Sequence, residues 1–126
     1  PPASTLVWVH LGATLASRDA KEADGKLVML ETADPDRSLM ATDAARDAAA
    51  KAFSGLPGLT SPGRVQPGAG ELSTFTDRGY AAAFAVLVVH RWFHTREDTL
   101  ERVDAGLLTP VVLAHRRAIE LIVAGS

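Results

Sequence analysis

Residues 5–16 (TLVWVHLGATLA) form a largely apolar run that divides into two faces at a period of two. Val7, Val9, Leu11, Ala13 and Leu15 fall on one face of an extended chain, and Leu6, Trp8, His10, Gly12 and Thr14 on the other. The β-branched and aromatic content favours a strand. Residues 18–26 are charged and end in Asp24-Gly25, a reversal signal, before a second apolar run over 26–32. The two apolar runs are expected to pair as an N-terminal hairpin with a polar loop between them. From 39 to 53 the period becomes helical. Ala41, Ala45, Ala48, Ala52 and Leu56 form one stripe, Asp36 or Ser38 offers a cap, and Gly55 and Pro57 supply the stop.

Residues 56–72 form a Gly/Pro-rich loop holding three of the seven prolines. A short strand or extension is expected over 71–77. Residues 80–93 (YAAAFAVLVVHRWF) are the most apolar stretch and read as a strand buried on both faces, with a helix as the alternative. At ~3.3 Å per residue a straight strand of that span would exceed about 40 Å, so it must bend or be shorter. Thr95 and Asp98 resemble a capping box for a helix over 96–107. Pro110 breaks it, and a second helix follows over 110–123 with Val111, Ala114, Ala118, Leu121 and Ile122 inward.

The expected fold is a single α+β domain over 1–126. A small, mostly antiparallel sheet with an N-terminal hairpin is packed by one central helix and a C-terminal helix pair broken at Pro110. Residues 1–33 would serve as an assembly arm.

Composition narrows the function classes. With 126 residues the chain is one domain, and 47% apolar content is enough to offset chain entropy. Cysteine is absent, which excludes disulfides, thiolate zinc sites, iron–sulfur clusters and a cysteine nucleophile. A net charge of -2 supplies no basic field, so neither nucleic acid nor an anionic membrane is an expected partner. The longest apolar run spans residues 80–89, half of the roughly 20 residues a membrane helix needs. Residues 6–15 lack the basic flank of a secretory signal, so a cytoplasmic or virion location is expected. Alanine occurs 22 times, arginine outnumbers lysine 10 to 3 and asparagine is absent, a pattern of GC-rich genomes. Alanine packs closely but buries little, so a lone monomer would have a thin core, which favours assembly.

Candidate chemistry concentrates in residues 90–98 (HRWFHTRED). His90 and His94 are four apart and face the same way in a strand or a helix, with Glu97 following on the helical face. Two imidazoles and a carboxylate can hold zinc and leave a position for water. His10 or His115 would supply a further ligand. The competing reading is a strand end emerging into solvent, with His and Trp at the rim. His10 itself reads as a core or rim histidine. Arg91, Arg96, His115, Arg116 and Arg117 are offset by Glu97, Asp98, Glu101, Asp104 and Glu120, which argues against a nucleic-acid surface. No P-loop, GxGxxG or G-x-S-x-G motif occurs. A ligand pocket lined by Trp8, Phe84, Trp92 and Phe93 is a further reading.

The layout of residues 39–123 resembles tail-terminator and tail-completion proteins of long-tailed phages. It runs from a helix (39–54) through a loop containing Gly63-Arg64-Val65-Gln66-Pro67-Gly68 to a long apolar strand (80–93) and a helix pair (96–123). The resemblance implies a small α+β subunit that assembles into rings at a head–tail junction without catalysis or cofactor. The leading expectation is therefore a non-enzymatic structural subunit, a homo-oligomer with other protein subunits as partners. The alternatives are a small metal-dependent enzyme or metal-binding module using His90, His94 and Glu97, with zinc as the cofactor, and a small-ligand-binding α+β module.

Overall fold

The computed structural model describes residues 1–87 and 89–125. Its elements are β1 (Trp8–Leu11), β2 (Arg18–Ala23), β3 (Lys26–Ala33), β4 (Ser38–Ala41), α1 (Asp43–Ala52), β5 (Gly63–Arg64), α2 (Gly70–Thr76), β6 (Ala83–Leu87) and α3 (Ala105–Ala124). Short 3₁₀ turns lie at Pro2–Ser4 and Leu100–Arg102. The fold is α+β. Among the described residues no helix is long and apolar enough to cross a membrane.

Four strands form one sheet in the order β1-β6-β4-β5. β6 sits inside it because residues 83–86 (Ala-Phe-Ala-Val) are apolar on both faces and become fully buried. β1 joins β6 in parallel, pairing Trp8 with Ala83 and Leu11 with Val86. β4 joins β6 antiparallel, and β5 joins β4 in parallel. The expected mostly antiparallel sheet is thus corrected: among the described residues only the β4–β6 pair of the main sheet is antiparallel. The long excursion between β1 and β6 gives the chain room to return in the same direction.

The hairpin is also placed differently. Residues 5–16 do not pair with 26–32. The charged segment β2 is itself the strand, and it pairs with β3 as a separate two-stranded ribbon. Asp24 and Gly25 turn it with φ of 52° and 71°, the positive pair a two-residue turn demands. Charges were compatible with a strand because the ribbon is largely solvated; Leu27 and Val28 stay 45% and 44% exposed. The ribbon is tied to the body by Asp34 N–H donating to Ser17 O and by a bridge between Ser17 and Val103. Arg18 adds Nε donation to Leu30 O and an ion pair with Glu31.

The helical stripe begins later than the spacing predicts. Residues 38–41 pair as β4, with Leu39 and Ala41 buried, and α1 starts at Asp43. Thr42 does not cap α1 with its hydroxyl. It exchanges hydrogen bonds with the backbone of Ala83, which locks α1 to β6. Residues 70–76 form a helix rather than the expected strand. The predicted strand over 80–93 shrinks to 83–87, after which the chain turns; Val88 lies outside the described residues. No helix spans 96–107; Thr95 donates to Trp92 O instead of capping one.

α3 runs unbroken through Pro110, which corrects the expected helix pair. The exposed ring stands in the second turn, where the only helix carbonyl denied its donor is that of Gly106. Asp104 caps the helix by accepting from Gly106 N at 2.7 Å. The layout that resembled phage tail proteins is shortened in its strand and merged in its helices.

α1 and α3 cover one face of the sheet. Leu39, Phe53, Phe84, Val86, Val111 and Ile122 fill that core, and each large side chain contributes about 1.5–3 kcal/mol through burial. Ala45, Ala49, Ala114 and Ala118 lie in the same cluster, so the two helices approach closely. α2 covers the other face through Leu72, against Ala83, Ala85, Trp8 and Met40. Gly12 ends β1 where the backbone meets β6, and a Cβ there would press into Val86 O.

Candidate functional site

Residues 90–98 form successive turns, with Phe93 N–H donating to His90 O and Thr95 N–H to Trp92 O. The four-residue spacing of His90 and His94 therefore does not become a shared face. The His90 side chain is only 4% exposed, its Nε2 lying 3.6 Å from Asp98 Oδ2. His94 is exposed, with φ at 60°, and stacks on Phe93 at 3.9 Å. Glu97 is exposed and pairs with Arg96 at 3.4 Å. The structure thus joins His90 to Asp98 and leaves His94 and Glu97 apart. Among the described residues no three His, Asp or Glu side chains are grouped to hold a metal ion.

The further ligands named from sequence lie elsewhere. His10 stands on β1, stacked beside Trp8 and 3.7 Å from Glu71. His115 is buried in α3 against Phe53 and Phe84. His90 lines a polar cavity of about 230 Å³ with Arg18, Asp19, Asp34, Asp36 and Arg91. Among the described residues its Nδ1 is buried without a hydrogen-bond partner.

The aromatic pocket expected from sequence does not form either. Trp8 stacks on Phe75 at 3.9 Å on the α2 side of the sheet. Phe84 points to the opposite face, beside Phe53. Trp92 lies under the Arg102 guanidinium at 4.4 Å.

A different surface gathers several features at once. Trp8 N–H donates to Ala82 O and Gly12 N–H to Val86 O, at 2.9 and 3.1 Å. Residues 8, 10 and 12 therefore turn their backbone groups to β6. Val9 and Leu11 turn theirs the other way, and β1 is the terminal strand on that side among the described residues. Val9, Leu11 and Leu15 line an apolar groove of about 600 Å³ together with Leu108, Val112 and Ile119 of α3. Leu11 is 62% exposed and Val112 54%.

The polar side chains at this groove are neutral or paired. Burial pushes His115 below the ordinary histidine range, and its Nδ1–H donates to Val111 O at 2.8 Å. Arg116 Nε donates to Glu120 Oε1 at 2.8 Å at the rim. That bond, with the nearby charges of Arg116 and Arg117, holds the Glu120 carboxyl below the usual carboxylate range.

The extended character of β1 is legible in the sequence, but its partner strand is not, so the terminal position of β1 is not legible there either. The contiguous Leu107-Leu108 and Val111-Val112-Leu113 were the signal for α3: a helix apolar beyond one stripe has a second face to cover. Compared with protein-family models, curated proteins and solved structures, the chain shows no significant match.

Proposed function

We propose that this chain is a non-enzymatic assembly subunit that binds further copies of itself, and through them other protein subunits, along the β1 edge. The observation that carries this reading is the free edge of β1 lying beside the apolar groove on α3. Edge strands of self-sufficient monomers are guarded by shortness, charge, proline, a bulge or a covering element. β1 is short, but it reads Trp-Val-His-Leu with no charged side chain, proline or bulge, and Leu6 just before it is 56% exposed. Strand addition at such an edge saturates the outward backbone groups, and the flanking groove removes apolar surface from water.

A ring at the head–tail junction of a long-tailed phage, built from such pairs through other surfaces, is one setting for the subunit, suggested by the layout predicted from the sequence. Light scattering over a concentration series tests self-association. The expected mass is a multiple of 13.3 kDa. A mass of 13.3 kDa at every concentration would sink the proposal.

A further inference from the structure

We infer that two copies of the chain pair β1 against β1, antiparallel, about a two-fold axis at His10, joining their sheets into one of eight strands. This rests on the self-association proposed above and specifies its geometry. Val9 and Leu11 carry the outward backbone groups of β1. An antiparallel ladder alternates hydrogen-bonded pairs with non-hydrogen-bonded ones. With the axis at His10, Val9 of each copy opposes Leu11 of the other. Both pairs exchange N–H···O=C bonds, so every outward group of β1 is satisfied within the strand. An axis at Val9 would instead pair Leu11 with Val7, which precedes the strand.

The side chains agree with this register on both faces. On the α3 side Val9 meets Leu11 across the axis, and the exposed Leu108 and Val112 lie along the strip that the second copy covers. The rim charge Arg116 enters already paired with Glu120, so the contact buries no lone cation there. On the α2 side the two His10 rings meet, each beside its own Glu71 at 3.7 Å. A stable interface needs on the order of 800 Å² per partner, roughly a ninth of this chain's 7409 Å² surface. The second copy supplies the same alternation, the same apolar strip and the same edge, so one patch serves both partners and the contact closes at two.

The absence of cysteine makes a clean test, because any introduced thiol is the only one. Residues directly opposite in a non-hydrogen-bonded antiparallel pair have Cα atoms about 4.5 Å apart, within disulfide reach. His10→Cys, Leu11→Cys and Ser54→Cys proteins are oxidised under mild conditions, and covalent dimer is measured beside light scattering of the unmodified chain. The expected result is covalent dimer for His10→Cys at more than ten times the yield of the other two. Leu11→Cys places its thiols on the other face and out of register, and Ser54 is an exposed residue beyond α1. An unmodified chain that self-associates, with no preference for position 10, overturns the pairing while leaving assembly intact. An unmodified chain that is monomeric throughout overturns both.

Discussion

His115 shows how one side chain is fixed by its surroundings. Its ring lies 4.9 Å from that of Phe53, edge-on, and 5.6 Å from that of Phe84, and burial lowers its proton affinity. The folded chain therefore takes up a proton there only below the ordinary value of 6.5, whereas the unfolded chain takes one up near it. Below about that pH the unfolded state holds more protons, so stability falls as pH falls. Thermal melts from pH 7.5 to 5 should show this acid limb, and His115→Phe should make it shallower; an equally steep limb in the variant would refute the assignment. Gly12→Ala is expected to lower the melting temperature by several degrees, because its Cβ meets Val86 O, a backbone atom unable to swing aside. An unchanged melting temperature would mean that β1 shifts freely. The roles of both residues depend on neighbours more than seventy positions away or on another element, which local spacing does not encode. His90 was legible as a special residue, but its partner Asp98 was not, because turns replaced the expected strand.

At the scale of elements, local pattern identified β1, the body of α1 and the apolar heart of β6. It failed where tertiary pairing overrode it. Residues 38–41 fit the alanine stripe of α1 equally well, yet the β6 edge claims them as β4. Residues 18–23 look like a loop because they are charged, but a solvated ribbon accepts charge on both faces. That ribbon has little apolar support, and an isolated two-stranded hairpin is marginal in water. Hydrogen exchange should accordingly be faster by orders of magnitude in β2 and β3 than in β6; equal protection would contradict their separation. Pro110 breaks a helix in the sequence reading but only spares one hydrogen bond in α3. Pro110→Ala restores a donor to Gly106 O at an exposed position, so it should stabilise the chain by about 0.5–2 kcal/mol in a denaturant titration. A loss of stability would show that the ring packs usefully.

For the whole molecule, the alanine-rich composition and the surface describe the same situation. The core on the α1/α3 side is filled, while Leu11, Val112 and Leu113 remain 62%, 54% and 58% exposed. The sequence carried this only as an excess of apolar residues over what a small alanine-rich core uses; the terminal position of β1 is a property of the assembled sheet. Because Leu11 is already largely exposed, Leu11→Glu leaves the monomer's packing intact while placing a charge on the strip that self-association would bury. Sedimentation equilibrium of the unmodified chain beside Leu11→Glu, with circular dichroism confirming equal folding, tests the account most directly. The expected masses are at least twice 13.3 kDa for the unmodified chain and 13.3 kDa for the variant; a common mass for both would contradict assembly along β1.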